Sequence, residues 1–410
     1  MPGREAQRYK PRRATNGANR MYIKPTFTDV LKAKNRIAPY LSKTPLLEYP
    51  MLTEALGFKA YIKHENLQPT GAFKIRGGIN LISQLSPEER ERGVITASTG
   101  NHGQSIALAS KMFGVKAIVC VQEGANPGKI GGIRSYGAEI IEEGKDFDEA
   151  RENAERLAAE KGYRYVHSAN EPLLISGVGT VGLEILEDLP DLDAVIVPVG
   201  GGSQVSGICT CFKTAAPDVE IIAVQSAHAP SVYNSWKSGK LESTESAKTM
   251  ADGLATRIAF EFTVSIMRDL LDDFILVTDE ELEAAIRLYV ETAHTIAEGA
   301  GAASLAAGIK IRDRLQRKKV PHPQRRESAR GCAQEYPVRR ESIARRIGEE
   351  GGRGAKTPRQ GPGQGDGAGP QGQDSLQAGH PQNTLRGSVG GWETARGGVR
   401  PHIRDGRDYH

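Results

Sequence analysis

Between residues 21 and 320 the apolar positions follow two alternating patterns. Short, nearly continuous apolar runs predict strands over 60–63, 93–97, 117–121, 139–141, 165–167, 194–199 and 221–224. Apolar residues at helical spacing predict helices over 27–41, 73–85, 103–112, 127–136, 147–161, 174–187 and 204–215, with two more over 279–295 and 301–317. Strands without polar alternation, separated by helices, belong to sheets buried on both faces. The expected fold class is α/β: two open, mostly parallel twisted sheets with helices on both faces. Ligands in such folds bind beyond the carboxyl ends of the strands.

Composition alters this picture only at the two ends. The chain has 410 residues and a formal net charge of +4. Residues 1–20 carry +5 and residues 321–410 also carry +5, which leaves −6 for the middle. The acidic middle gives no reason to expect a nucleic-acid partner. Residues 321–410 hold 18 Gly and only eight Leu, Ile or Val. Such a segment buries too little apolar surface to offset its ordering entropy and is expected to be disordered. Its Arg/Gly content is compatible with RNA binding, but it has no regular repeat and few aromatics, so that reading is set aside. Residues 1–20 are expected to be a disordered basic extension, with Met21 the original start. The longest apolar runs fall well short of the ~20 residues that span a bilayer, so no membrane partner is expected. The ends carry no signal-peptide pattern, and the four cysteines form no CxxC. That usage points to a reducing cytoplasm and structural thiols. Cys209 and Cys211 stand two apart, a poor spacing for metal ligands on one helical face.

Three loops at strand ends carry candidate chemistry. In the first, Lys74 opens a helix beside Gly71, Gly77 and Gly78. The positive potential at a helix start favours the free amine, which suits Schiff-base chemistry. The second, Ser98-Thr99-Gly100-Asn101-His102-Gly103, gathers hydroxyls, an amide and an imidazole where helix-start N–H groups can take a carboxylate. In the third, Gly200-Gly201-Gly202-Ser203, consecutive glycines at a helix start suit a single phosphate. It is neither GxGxxG nor a P-loop. Each loop alone also fits a plainer reading, a solvated lysine or an N-cap cluster.

Taken together, in this order, the three loops resemble the fold-type II pyridoxal-phosphate enzymes (tryptophan synthase beta-like), and within them the threonine/serine dehydratase (threonine ammonia-lyase) and serine racemase group. The resemblance covers roughly residues 25–320. It implies pyridoxal 5'-phosphate as cofactor, with Lys74 as the lysine bonded to it and later the proton-transfer base. By the same resemblance Phe73 packs beside the ring, Asn101 bonds the ring oxygen, and Gly200, Gly201, Gly202 and Ser203 hold the phosphate. Ser98, Thr99, Asn101 and His102 hold the substrate carboxylate. Glu298 lies near the ring and Arg151 approaches the substrate. Thr99 keeps a hydroxyl where racemases place a second acid/base serine. The implied reaction is dehydration and deamination of L-threonine and L-serine to a 2-keto acid and ammonia, in amino-acid metabolism such as isoleucine biosynthesis. Alternatives are serine racemisation, a hydroxyaspartate-type ammonia-lyase, or an inactive cofactor-binding remnant.

The resemblance also implies a large cofactor-binding domain of residues 21–80 and 166–320, a small mobile domain of residues 81–165, and an assembly of identical subunits. No metal is expected, because Gln225 stands where racemase-type enzymes place a metal-binding glutamate. The family's Ser-Gly-Gly-Asn turn, whose serine meets the ring nitrogen, is missing. Reading residues 321–328 one nucleotide later, with suitable codons, gives Ile-Leu-Ser-Gly-Gly/Glu-Asn-Leu. A frameshift near codon 321 is therefore expected, with residues 321–410 its product. Sequencing the gene tests this: codons CAT for His322 and CAG for Gln324 are expected, and any others remove the basis for a shift.

Overall fold

The computed structural model describes residues 23–318; the extensions 1–20 and 321–410 and the expected frameshift lie outside the described residues. The chain enters through α1 (Phe27–Ile37), β1 (Leu46–Glu48), α2 (Pro50–Leu56), β2 (Tyr61–Lys63) and α3 (Lys74–Ile82). Next come α4 (Pro87–Arg92), β3 (Val94–Ala97), α5 (Asn101–Met112), β4 (Ala117–Val121), α6 (Pro127–Ser135), β5 (Glu139–Glu142), α7 (Phe147–Lys161) and β6 (Arg164–Tyr165). The third stretch holds α8 (Pro172–Asp188), β7 (Ala194–Pro198), α9 (Ser203–Ala215), β8 (Glu220–Ser226), α10 (Ser231–Ser238), α11 (Glu261–Leu270) and β9 (Asp273–Val277). It closes with α12 (Asp279–Ala293), α13 (Gly299–Lys310) and α14 (Arg312–Lys318).

Two parallel sheets result, one ordered β5-β4-β3-β6 and one ordered β7-β8-β9, beside a two-stranded antiparallel pair β1-β2. Strands β3 and β4 are buried along their whole length, and β8 is buried from its second residue onward. This is the two-sided burial that their apolar runs require. Local chemistry starts the helices: Thr26 and Ser86 close capping boxes with Asp29 and Glu89, and Thr278 does so with Glu281.

Three helices meet through glycines. A Cβ on Gly177 of α8 would lie 2.7 Å from Gly77 Cα of α3, and one on Gly207 of α9 would lie 2.5 Å from Ile175 O of α8. Helices α3, α8 and α9 therefore stack at backbone contact. Beside the stack lies a buried ionic quartet. Arg76 Nε donates to Glu65 Oε2 at 2.8 Å and Arg76 Nη1 to Glu184 Oε1 at 2.6 Å, while Lys63 Nζ donates to Glu184 Oε2 at 2.6 Å. Two positive and two negative charges balance, which is the condition for burying any of them.

Several expected elements shift. The helix expected over 301–317 breaks at Ile311 into α13 and α14, and the strand expected over 165–167 is β6, ending at Tyr165. Elements β1, α2, α4, α10, α11 and β9 have no counterpart in the apolar pattern. Strand β1 is three residues with little burial, and α11 has Phe260 at its N-cap, which makes no side-chain cap hydrogen bond. The free thiols Cys120, Cys209 and Cys211 are buried. Burial pushes the Cys120 thiol up to about 11 and Cys209 up to about 12. Among the described residues no helix is long and apolar enough to cross a membrane.

Gly207→Ala should lower stability by about 1–3 kcal/mol, because neither the Ile175 nor the Gly179 backbone can retreat. Gly131→Ala, with open space around it, should change little. Urea denaturation midpoints of the two variants measure the contrast.

Candidate active site

One cavity of about 1700 Å³ is lined by Phe73, Lys74, Ser98 to His102 and Gly200 to Ser203, and also by Arg151 and Glu298. The loops reach it from different strands. Lys74 is the first residue of α3, Ser98 to His102 follow β3 into α5, and Gly200 to Ser203 follow β7 into α9. The stacking of α3, α8 and α9 brings the first and third together. Lys74 Nζ donates to Ser203 Oγ at 2.8 Å and to Ser168 O at 3.3 Å, and it lies 5.4 Å from the Phe73 ring centroid. Ser105 Oγ steadies the helix start by donating to Lys74 O at 2.7 Å.

The amine lies deep below the surface, although the cavity leaves its side chain partly accessible. That burial lowers the Lys74 pKa to about 8, so part of it is uncharged near neutrality.

The glycine loop is a cradle without side chains. Gly202 caps α9 at φ +89°, a conformation suited to glycine. A Cβ on Gly200 would collide with the Gly253 carbonyl, and one on Gly202 would lie 2.9 Å from Thr263. Backbone N–H groups at the start of α9 remain to receive an anion.

On the facing side, Asn101 opens α5, and its Nδ2 donates to Glu298 Oε1 at 2.9 Å. Glu298 in turn precedes α13. Gly100 N donates to Ser98 Oγ at 3.2 Å. The His102 imidazole is committed elsewhere. Thr96 Oγ1 gives its proton to Val166 O at 2.7 Å, so His102 Nε2, 2.9 Å away, is the donor to Thr96. Burial, the Lys74 amine and the neighbouring His167 lower the His102 pKa to about 3, so it is neutral. Arg151 is held by Glu155, at 2.9 Å, on its own helix.

The apolar pattern does not mark His167 or Phe260. His167 Nδ1 accepts from Ala169 N and Asn170 N at 3.0 Å each, and its ring meets Phe260 edge-on at 4.8 Å. Burial lowers its pKa to about 4. Its place just past a strand end is the available signal, but the apolar run absorbs it into the strand. Gln225, expected to leave a metal position unfilled, is buried and accepts from Tyr233 N at 3.0 Å. Among the described residues no group of three or more His, Cys, Asp or Glu is gathered to hold a metal ion.

An amine of lowered pKa beside a side-chain-free anion cradle fits a ligand that carries an aldehyde and a phosphate. The family described as pyridoxal-phosphate dependent enzyme matches residues 37–321. This chain belongs to that family. Among relatives of this pyridoxal-phosphate dependent enzyme, L-threonine ammonia-lyase of Thermotoga maritima is 42% identical over 72% of the chain and 73% of its own length. The catabolic L-threonine dehydratase TdcB of Staphylococcus aureus is 40% identical over 68% and 81%. Among solved structures, a threonine deaminase from T.th. matches with TM-score 0.68 and 35% identity over 71% and 94% of the two chains. Maize serine racemase matches with TM-score 0.68 and 34% identity over 70% and 87%.

Neutral His102 and His167 make the enzyme acid-sensitive. Both carry folded pKa values below the unfolded value near 6.5, so the unfolded chain binds more protons and stability falls as pH drops from about 6.5 toward about 3. The urea midpoint should therefore be lower at pH 5 than at pH 7. His102→Asn should flatten this slope.

Proposed function

We propose that this pyridoxal-phosphate enzyme is an ammonia-lyase that dehydrates and deaminates L-threonine, and L-serine as a second substrate, to a 2-keto acid and ammonia. The observation that carries the reading is the Lys74 amine, uncharged in part and 2.8 Å from Ser203 at the glycine-lined start of α9, with the open start of α5 across the same cavity. Relatives above 40% identity named as threonine ammonia-lyases support the substrate class.

When bound, the cofactor supplies an electron sink that stabilises charge at the substrate Cα. The chain supplies the rest. Gly200, Gly201, Gly202 and Ser203 receive its phosphate through backbone N–H groups and one hydroxyl. Phe73, Glu298 and Asn101, the last fixed by Glu298, line the cavity and would hold its ring. Ser98, Thr99, Asn101 and His102 receive the substrate carboxylate at the start of α5. The His102 imidazole is occupied by Thr96, so we assign its part to the backbone N–H. Lys74 Nζ, as free amine, takes the proton from Cα; that proton balances the departing β-hydroxyl, which leaves as water, and the released enamine tautomerises and takes up water to give the 2-keto acid and ammonia. Arg151 stands at the rim with its charge shared by Glu155 and serves substrate approach.

Serine racemisation is the second reading, favoured by the Thr99 hydroxyl, which lines the same cavity as Lys74 and would act as the second proton donor. We further assign residues 81–165, which contain the sheet β5-β4-β3-β6, to a smaller movable domain, and we take the working form to be a cytoplasmic assembly of identical subunits. A place in isoleucine biosynthesis predicts an isoleucine requirement on gene deletion.

The assay is keto-acid release from L-threonine together with the visible absorbance of bound cofactor. Lys74→Ala should abolish the band and lower turnover by about a thousandfold or more. Thr99→Ala should remove serine racemisation, read by chiral analysis, while keto-acid release continues. Cofactor uptake without keto acid from either substrate overturns the lyase reading.

A further inference from the structure

Two ion pairs cross the mouth of the cavity. Lys129 of α6 meets Asp252, and Arg257 Nη2 donates to Asp148 Oδ2 at the start of α7. All four residues line the cavity. The segment that carries Asp252 and Arg257 also walls the reacting centre. The Gly253 carbonyl lies against Gly200, and Thr256 Oγ1 is 3.6 Å from where a Cβ on Gly200 would stand. Phe260 meets the His167 ring edge-on. Arg257 therefore stands between a residue at the anion cradle and a residue against His167. Its backbone is tied down: Ser231 Oγ donates to Thr256 O, and Thr244 N donates to Arg257 O at 2.9 Å. Only its side chain is left to reach across the mouth.

Asp148 is shared. Its Oδ2 takes Arg257, and its Oδ1 lies 3.9 Å from Arg151 Nε. Arg151 keeps Glu155 besides, at 2.9 Å, whereas among the described residues Asp148 is the one carboxylate that meets Arg257. The charge of Arg151 reaches His167 together with that of Lys74, so this group of residues is electrostatically joined to the floor of the site. The pair is accessible, with side-chain exposures of 47% for Arg257 and 28% for Asp148. Pairs this accessible add little to stability. What this one decides is the charge that an incoming substrate meets.

We propose that Asp148 is a specificity gate: by occupying Arg257 it leaves the mouth without a free guanidinium, so that amino acids with an uncharged group on Cβ are accepted and those with a second carboxylate are turned away. The inference rests on the ammonia-lyase reading above and names its substrate class, β-hydroxy amino acids uncharged beyond the α-carbon. A guanidinium fork matches a carboxylate through two parallel hydrogen bonds. Asp148 already takes that donor, and a second carboxylate would meet Asp148 as a like charge, which is selection by repulsion. Size cannot make this choice. In a cavity of about 1700 Å³ the methyl group of threonine and the carboxylate of 3-hydroxyaspartate both fit. Charge is the property by which these residues can tell them apart.

The test is calorimetric titration of the cofactor-loaded chain with succinate and with butyrate, which share a carbon skeleton and differ by one carboxylate. The start of α5 is available to one carboxylate of either ligand. The native chain should bind succinate no more tightly than butyrate. Asp148→Asn should tighten succinate by about tenfold while butyrate stays within about twofold. Adding Arg257→Gln to Asp148→Asn should cancel the gain, and Asp148→Glu should keep the native preference. The ratio of 3-hydroxyaspartate to threonine turnover should rise with Asp148→Asn as well. Heats of binding are read without turnover, so a chain that releases no keto acid overturns the lyase reading and still answers this one. Should Asp148→Asn fail to fold, Asp148→Ser carries the same comparison. Succinate affinity unchanged in the Asp148 variant, or raised equally when Arg257→Gln is present, overturns the proposal.

Discussion

Backbone contact between helices governs this molecule. Helix α8 touches α3 at Gly77 and Gly177 and touches α9 at Gly179 and Gly207, with no side chain between them. That contact fixes the spacing between the starts of α3 and α9. The first residues of those helices are Lys74 and Ser203, whose side chains meet at 2.8 Å. An extra methyl group at the contacts would push the helices apart by a distance comparable to the tolerance of such a hydrogen bond. The chemistry at the cavity floor is thus a consequence of packing two helix layers away from any reacting atom.

Burial then sets the charge states. The same depth that lowers the Lys74 pKa leaves His102 and His167 neutral, and each imidazole has one defined hydrogen-bond pattern as a result. The quartet of Arg76, Lys63, Glu65 and Glu184 shows the other solution to the same dielectric problem. Burial alone would lower the Arg76 pKa, but the two carboxylates outweigh it and raise it. In that quartet charge is retained because it is matched, and the proton-carrying amine of the site is kept apart from that matched set.

The site is legible in the sequence where its chemistry is local. Gly200 to Ser203 and Ser98 to His102 each follow an apolar run directly, so sequence adjacency reports spatial arrangement. Lys74 is legible for the same reason, as a lysine opening a helix between glycines. His167 is not, because a single histidine ending an apolar run reads as strand until the run is seen to stop at Tyr165. Strand β9 escapes the pattern although Phe274 to Val277 are apolar, since Asp272 precedes it, Asp273 opens it and no strand neighbour in sequence announces it. Its pairing with β8 is tertiary information. The glycine contacts of α8 are likewise hidden: Gly177, Gly179 and Gly182 look like weak helix positions until their neighbours in space are known.

The link between Asn101 and Glu298 has a consequence beyond orientation. Asn101 follows the sheet that contains β3, whereas Glu298 leads into a helix lying on the sheet that contains β7. The pocket is therefore a seam between the two sheets, which also meet where α3 packs on α5. Any guest that touches both banks becomes a tie between them, and its affinity includes the work of drawing them together. Loosening either layer would weaken the guest's grip well before the shape of that layer was lost.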